Sequence, residues 1–530
     1  MAGVGFELKK LFRSKEGYFN KIRGFAVSTA VTQGPMMLNI LLLFLMRFLL
    51  DRDGAVYMEQ EWLLYTVTYT TIFSLILSNT VLMFIDRYVS DCIYNEETER
   101  ILPSFHGLMV LLLLAGGVIG GFYLIPCPRD LIYKLFALLQ FLLLLIVWAQ
   151  MSYLSALKQY GKVLTGFLVS VTVSVGLGIL LIIFTDLDRV NAALAAITCG
   201  YAVMMVMFYQ QMLIYYPKGK TDLFGWLGAL DDYKILIAIG FFMAAGLYVH
   251  NFAYWLSPMK NAVWDWGVFC TKYDIPTFYA TLTVTPMLVL FVVSVETKVY
   301  RQYREYFDAI LRGGTLQDIV QARKNMETVI FRELSHMVTM QFFVSVVCST
   351  FLADVLAGMG MDDEQTVIFR TLCFGYCLYG LAKCQIILML YFEDRKGALL
   401  GAGVFLLASG VLSAVNLRFD TPLWGMGYLA AAFVTAVYGS MRLRYFLDRL
   451  EYKVFLRQPL FAHEKNGVFL RFAADMARRE QEGYQKMKPH LKRNRRRKKS
   501  GSKLPNLPLL ARLVRRERRK NDSGKDDQAV

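Results

Sequence analysis

The sequence lacks the short motifs that mark the commonest catalytic and nucleotide-binding sites. No GxxxxGK[ST] phosphate loop, HExxH zinc motif or GxSxG nucleophile turn occurs among its 530 residues. These absences argue against an ATPase, a zinc hydrolase and a serine hydrolase. Outside the apolar blocks the acidic residues form only short clusters, and no hydrophilic connection is long enough to be a sugar-nucleotide domain. We therefore expect no enzyme.

Histidine and cysteine are too few and too scattered for a metal or redox centre. The chain has five histidines and eight cysteines, with no CxxC pair and no metal-ligand spacing. Cys373, Cys377 and Cys384 share one face of a predicted helix. Small apolar packing residues explain this pattern better than a metal site, which would need thiolates within lipid. We expect no metal and no other cofactor.

Charge is scarce, and long apolar blocks take its place. Only 19% of the residues are charged, whereas 56% are hydrophobic, and the mean hydropathy is +0.40. A block of about 20 apolar residues spans a hydrocarbon core when it is helical, and lipid requires the backbone to bond within the segment. The sequence therefore predicts an all-α polytopic membrane protein.

Twelve membrane-spanning helices are predicted from these blocks. They lie at about 24–50, 62–89, 103–125, 130–157, 162–184, 190–216, 233–256, 276–298, 331–356, 366–392, 398–418 and 422–446.

The distribution of basic residues predicts the orientation of the spans. The N-terminal segment and the connections on the same side hold 22 Lys and Arg, against 8 in the opposite connections. Because short cytoplasmic loops carry the excess of Lys and Arg, both termini are expected in the cytoplasm. The predicted location is a cytoplasmic membrane.

A few polar residues within the spans are candidates for a translocation path. A charge at the bilayer centre is costly, so Lys383 and Arg370 of the tenth span suggest a cavity or a partner. The alternative for Lys383 is that its stem reaches the cytoplasmic interface. His250 and Asn251 lie near the outer end of the seventh span, where an interfacial histidine bonded to the backbone is the simpler interpretation.

Thr68 and Thr71 form a second kind of candidate, because they are three residues apart on the second span and predict a polar stripe. Pro35 and Pro286 interrupt helix hydrogen bonding at or within a span, so each is a candidate kink in a cavity-lining helix. Structural bending without motion explains the prolines equally well.

Two long connections are expected at the membrane surface. The outer one, residues 257–278, contains Trp264 and Trp266, which we expect at the lipid interface, where indole rings are enriched. The inner one, residues 299–330, alternates apolar and charged residues at helical spacing. Gly313 breaks it, and Thr315 with Asp318 predicts a capping box that opens a second helix.

Several stretches together resemble the PelG family of Pel exopolysaccharide transporters. They are MAGVGFELKKLF at the N-terminus, TQGPMML, DRYVSDCIYNEETERILPSF, LYFEDRKGAL, the closing FLRQP and, most specifically, YDIPTFYATLTVTPMLVLFVVSVETKVYRQYREYFDAILRGGTLQDI from Tyr273 to Ile319. The resemblance runs from Met1 to about residue 462. It implies a flippase-like fold with two six-helix bundles around a central cavity.

The domain organisation follows from the spans and this resemblance. We expect a cytoplasmic amphipathic N-terminus (1–23), a first bundle (24–216), a cytoplasmic linker (217–232) and a second bundle (233–446) that contains the amphipathic hairpin 299–330. A basic cytoplasmic tail (447–530) follows, largely disordered after about residue 480.

Charged residues at two equivalent inner helix ends are candidates for an inner gate or for partner docking. Asp86 and Arg87 end the second span, and Glu296 and Lys298 end the eighth, so the positions correspond if each half has six helices. Ordinary helix-end charges are the alternative.

The resemblance also implies the function and the partners. It implies export of Pel-type exopolysaccharide or its precursor in biofilm matrix production, alongside a cytosolic glycosyltransferase and a membrane-embedded cyclic-di-GMP-sensing partner. The open alternatives are a flippase for lipid-linked oligosaccharide and a non-transporting scaffold of the synthase complex.

The basic tail lies beyond the family resemblance. Between Lys486 and Lys520 there are sixteen Lys and Arg and one acid, and they include Arg495, Arg496, Arg497, Lys498 and Lys499. Each Lys or Arg gains about 1 kcal/mol near an anionic leaflet. We therefore expect the tail to bind anionic lipids at the membrane surface, and we expect no specific nucleic acid.

Overall fold

The computed structural model describes residue 34 and residues 37–155, 160–217, 223–419, 424–456, 467–476 and 478–479. The chain divides into two compact units, Met1–Ala474 and Asp475–Val530, and the features below all lie in the first. Pro35, the segment 1–23 and the tail residues Arg495 to Lys499 lie outside the described residues.

Six helices form the first half of the first unit. They are α1 (residues 37–52), α2 (Tyr57–Tyr94), α3 (Ile101–Leu124, after the 3-10 turn Thr98–Arg100), α4 (Leu131–Ser155), α5 (Tyr160–Phe184) and α6 (Arg189–Tyr215). Within this half, α6 packs on α5 and α4, and α2 packs on α4.

The second half follows a 3-10 turn at Gly225–Ala229. Its helices are α7 (Leu230–Trp255), α8 (Thr271–Thr283), α9 (Thr285–Ser294), α10 (Tyr300–Leu311), α11 (Leu316–Val347), α12 (Ala353–Gly358), α13 (Asp363–Tyr391), α14 (Arg395–Asn416), α15 (Met426–Leu447) and α16 (Leu450–Leu456). A short antiparallel hairpin, β1 (Asn261–Ala262) and β2 (Val268–Phe269), links α7 to α8. Helix α13 packs on α8 and α15, and α14 packs on α7 and α15.

The helices match the predicted spans. Ten helical segments of the described residues are long and apolar enough to cross a membrane. The helix α1 is described only from residue 37, and α15 is 22 residues long but carries Arg442 and Arg444 near its end. With these two, each predicted span corresponds to one continuous helical segment, six in each half. The protein is therefore a multi-pass membrane protein with a twelve-helix fold.

Pro286 divides the eighth span into two helices. The helix α8 ends at Thr283, and α9 begins at Thr285 with the proline in its first turn. Because proline has no N–H and clashes with the preceding turn, the hydrogen-bond ladder is interrupted here. The amide of Gln341 on α11 donates to the carbonyl of Thr283 at 2.7 Å, which satisfies a carbonyl at the break.

The connection from α10 to α11 turns sharply at Gly313. This glycine has a positive φ of 72°, which side-chain-bearing residues rarely adopt. The predicted capping box is present, because Thr315 and Asp318 each bond the other's backbone N–H. Helix α11 then runs directly into the ninth span.

The direction of the helices defines two ends of the molecule. We call the end that carries the β1–β2 hairpin the hairpin end, and the end that carries α10 the tail end. In the predicted orientation the hairpin end faces outward and the tail end faces the cytoplasm.

Candidate functional site

The two halves meet where α2 packs along α7, and we call this contact surface the seam. Gly240 permits the approach, since a Cβ at this position would overlap the carbonyl oxygen of Asn79. Lipid tails are as apolar as leucine side chains, so helices in a membrane associate through close packing and polar bonds. A glycine that faces the backbone of the neighbouring helix allows such close packing.

Aromatic rings cover the seam at the hairpin end. Tyr69 of α2 stacks on Trp255 of α7, with 4.7 Å between ring centroids and 6° between ring planes. One turn further along, Phe73 stacks on Phe252 at 5.8 Å and 12°. Stacked aromatic pairs contribute about 0.5–1.5 kcal/mol beyond their burial, so these rings hold the two halves together.

The β1–β2 hairpin reaches from the second half onto the first. The indole N–H of Trp264 donates to the Tyr65 hydroxyl at 3.0 Å. The Tyr69 hydroxyl donates to the carbonyl of Val268 at 2.6 Å, and the Tyr123 hydroxyl to that of Trp266 at 3.2 Å. Trp264 is therefore buried between the halves instead of lying at the lipid interface, whereas Trp266 remains half exposed.

A cavity of about 320 Å³ lies beside this hairpin. Its lining comes from both halves and combines aromatic rings, amides, hydroxyls, a carboxylate and an ammonium; it includes Tyr57, Asn261, Thr271, Lys272, Asp362, Gln365 and Trp424. Behind it, the buried carboxylate of Glu61 accepts a hydrogen bond from the Thr271 hydroxyl at 3.2 Å. Such a lining suits a small polar ligand with an apolar face.

Charged groups join the halves at the tail end. The Tyr233 hydroxyl on α7 donates to the carboxylate of Asp91 on α2 at 2.8 Å. The Arg87 guanidinium lies 3.5 Å from Glu393 of the second half and 3.2 Å from Asp91 of its own helix. The seam is thus bonded at both ends, by rings and the hairpin at one and by charged groups at the other.

The four predicted gate residues do not act alike. Arg87 bonds across the halves, as described above. Asp86 accepts a hydrogen bond from Ser152 of its own half. Lys298 lies 2.7 Å from both carboxylate oxygens of Glu333 on α11, within the second half. Glu296 lies in the same π-helical turn as Lys298, Val295–Val299.

His250 and Asn251 belong to a buried network inside the second half. The Asn251 amide donates to Asp274 at 2.7 Å, and the same carboxylate accepts from the Trp255 indole at 2.8 Å. The His250 ring bonds the Tyr273 hydroxyl at 2.8 Å. Because Trp255 also stacks on Tyr69, this network positions a seam ring from behind.

The remaining path candidates lie apart from one another. Thr71 accepts a hydrogen bond from Asn39 at 2.7 Å inside the first half, and Thr68 is buried. The Lys383 ammonium lies 6.0 Å from the centroid of the Tyr379 ring. Arg370 pairs with Asp354 at 3.2 Å in a different part of the second half. The structure therefore does not bring these four residues into one site.

Sequence reasoning missed four buried acids that bond partners within the fold. Glu61, Asp274 and Glu333 make the contacts given above, and Asp394 accepts hydrogen bonds from Arg442. Each is at most 4% exposed, and each lies within a few residues of the end of a span. That position was a usable signal, because a buried acid near a span end needs a partner. Among the described residues, no cluster of three or more potential ligands that could hold a metal is present.

The fold is that of the MOP superfamily transporters. Two solved structures, an outward-facing multidrug resistance MATE family transporter of this superfamily and a MOP superfamily transporter from Pyrococcus furiosus, each have a TM-score of 0.53, share 12% identity, and align over 80% of this chain and 96% of theirs. A MATE structure in the bent conformation also has a TM-score of 0.53, with 11% identity over 84% of this chain and 97% of its own.

A comparison of the sequence with protein-family models identifies the family within this class of transporters. The family model described as "PelG: Putative exopolysaccharide Exporter (EPS-E)" matches residues 1–455, so the chain belongs to the PelG family of exopolysaccharide exporters. No curated protein matches the sequence. The expected family and fold class are both confirmed, and the protein is a membrane transporter.

Proposed function

We propose that this protein exports an exopolysaccharide, or its precursor, across the cytoplasmic membrane along the seam between its two halves. The hairpin end faces outward, and both termini lie in the cytoplasm. The polymer is handed over by a cytosolic glycosyltransferase, a membrane-embedded cyclic-di-GMP-sensing partner controls the process, and the product contributes to a biofilm matrix.

The observation that carries this proposal is the aromatic and polar surface where the halves meet at the hairpin end. Sugar rings present apolar C–H faces, which pack on aromatic rings, and hydroxyls, which bond amides and carboxylates. The cavity beside Trp424 offers both kinds of contact, and Tyr69 and Trp255, which are buried against each other, would expose their ring faces when the halves separate. Because the surface is shared by both halves, a change in their separation changes the access of a sugar to it.

Replacing Tyr69 with alanine should reduce polymer secretion by about two- to tenfold at matched protein level, since a stacked ring contributes about 0.5–1.5 kcal/mol beyond its burial. Tyr69→Phe keeps the ring and loses the hydroxyl, which bonds Val268 and Tyr123, so it should retain most secretion. The measurement is secreted polysaccharide per unit of membrane-inserted protein.

Phe241→Ala provides a matched control, because this ring also lies on a helix of the seam but contacts only its neighbour Phe242 among the described aromatic rings. It should secrete normally. Equal secretion by Tyr69→Ala and Phe241→Ala would contradict a role of the seam rings in export.

Two further experiments separate the alternatives. Vesicles that contain only this protein and the glycosyltransferase should accumulate polymer in the lumen that corresponds to the cell exterior; a scaffold without transport activity would accumulate none. Accumulation of a lipid-linked intermediate after gene deletion would instead indicate a lipid-linked oligosaccharide flippase.

The basic tail should contribute little to transport itself. We expect a chain truncated before residue 486 to insert normally and to keep most of its export. The isolated peptide of the tail should bind vesicles that contain anionic lipids and should dissociate from them at high salt. Complete loss of export in the truncated chain, at normal membrane levels, would show that the tail has a core function.

A further inference from the structure

A groove on the second half lies away from the seam. One side is formed by α12 and by the π-helical turn Cys348–Leu352 that precedes it, and the other side by α15. Helix α13 forms the floor, and the groove encloses a cavity of about 520 Å³ at the hairpin end. The residues that matter here are Ser349, Thr350, Asp354, Arg370, Thr371 and Phe374. The family resemblance and the proposed transport path assign no role to this cavity.

The groove faces away from the first half. Gly380 of α13 faces the break between α8 and α9, because a Cβ at this position would lie 2.7 Å from Val284 and 2.8 Å from Met287. Thr371 precedes Gly380 by nine residues, which places it half a turn around the helix at about 100° per residue. All lining residues of the groove belong to the second half, whereas the seam is formed by α2 and α7, so the groove lies apart from the contact between the halves.

Large apolar side chains flank the groove. Phe342 of α11 is 55% exposed, Phe351 is 72% exposed, and Phe433 of α15 is 56% exposed. On the outer face of membrane-spanning helices, such rings contact lipid. The groove therefore opens to lipid rather than to water.

Its polar residues lie near the level of the lipid headgroups. Asp354 belongs to α12, the last helical segment before the turn at the hairpin end. Arg370 is seven residues from the start of α13 at Asp363, about 10 Å along the helix axis. A phospholipid of the adjoining leaflet can thus place its headgroup in the groove while its chains lie on the flanking rings.

The groove offers one cation and several acceptors. The Arg370 guanidinium lies 3.2 Å from the Asp354 carboxylate. The hydroxyls of Ser349 and Thr350 both donate to the carbonyl of Val346, at 3.0 and 2.9 Å. A hydroxyl that has used its proton in this way can only accept from a ligand. Thr371 has the same arrangement with the carbonyl of Val367 at 3.0 Å.

We propose that this groove is a binding site for phosphatidylethanolamine. The lipid phosphate bonds Arg370, because a guanidinium matches phosphate geometry. The primary ammonium donates to Asp354 and to the hydroxyl oxygens of Ser349 and Thr350. A trimethylammonium group has no N–H to donate, and a glycerol headgroup carries no cation, so phosphatidylcholine and phosphatidylglycerol each lose one part of this recognition.

The test is native mass spectrometry of the full-length protein in detergent with equal amounts of the three lipids, all with the same acyl chains. The wild-type protein should retain phosphatidylethanolamine about tenfold better than the other two, in keeping with a hydrogen bond to a charged group. Asp354→Asn and Arg370→Gln should both remove this preference. Arg312→Gln should keep it, because Arg312 forms an exposed ion pair with Asp308 at the tail end.

Equal retention of the three lipids by the wild-type protein would overturn the proposal. The proposal would also be overturned if the wild-type protein retained phosphatidylglycerol best and only Arg370→Gln removed that preference. Such a result would indicate a site for anionic lipids that does not recognise the amine. If either variant fails to fold, the competition of the three lipids for the wild-type protein is enough to test the proposal. The readout is independent of export, so it does not depend on the proposed transport function.

Discussion

An Asp394→Ala variant should unfold at a clearly lower temperature than the wild-type protein. Asp394 is 1% exposed, and its two carboxylate oxygens accept from Nε and Nη2 of Arg442 at 2.7 and 2.9 Å. It also accepts from the backbone N–H of Gly397 at 3.3 Å and so caps α14. Removing one partner of a buried ion pair costs about 3–5 kcal/mol; we expect the lower value, because Arg442 is about a quarter exposed.

The measurement is the melting temperature of each variant in detergent, taken from its thermal unfolding curve. Glu305→Ala is a suitable control, because Glu305 pairs with Arg301 on an exposed helix face and surface pairs contribute at most about 1 kcal/mol. Arg442→Ala should resemble Asp394→Ala, and the double variant should be less destabilised than the sum of the two. Equal melting temperatures for Asp394→Ala and Glu305→Ala would show that the pair does not stabilise the second half.

A Gly240→Val variant should lose most export and also some stability. The added side chain would overlap the backbone carbonyl of Asn79, and a backbone group cannot swing aside as a flexible side chain can. Relief requires α2 and α7 to separate, which disturbs the Tyr69–Trp255 and Phe73–Phe252 stacks along the same seam. Overpacking costs about 1–3 kcal/mol.

Gly403→Val is the matched control for this substitution. A Cβ at Gly403 meets only Phe242, at 3.8 Å, which is an ordinary contact. This variant should therefore export normally and unfold close to the wild-type temperature. Normal secretion by Gly240→Val at matched protein level would mean that the seam tolerates separation and is not part of the transport path.

The helices could be predicted from the sequence because one physical requirement determines them. A segment that spans lipid must be apolar and must satisfy its own backbone, so long apolar runs identified the spans. The helix of the ninth span nevertheless begins at Leu316, well before the predicted residue 331. Pro286 marked the break between α8 and α9 for an equally local reason. The capping box at Thr315 also depends on neighbouring residues alone.

The contacts between helices could not be predicted in this way. Thr68, Tyr69 and Thr71 are neighbours on α2, and the sequence favoured the threonines as a polar stripe. In the structure Thr71 bonds Asn39 within the first half, while Tyr69 faces the seam. Which face of a helix meets which partner depends on residues hundreds of positions away, and a single sequence does not contain that pairing. The Asp274 network was missed for the same reason.

The break at Pro286 has a mechanical consequence. Helix α11 bonds both sides of this break. Gln341 donates to the carbonyl of Thr283 at the end of α8, and Glu333 accepts from the Ser294 hydroxyl at the end of α9 at 3.0 Å. Because α11 is bonded to both sides of the break, a bend at the proline also displaces α11, which continues from there to the turn at Gly313. The divided span and α11 therefore move together, so that a bend at Pro286 within the membrane is transmitted to the tail end.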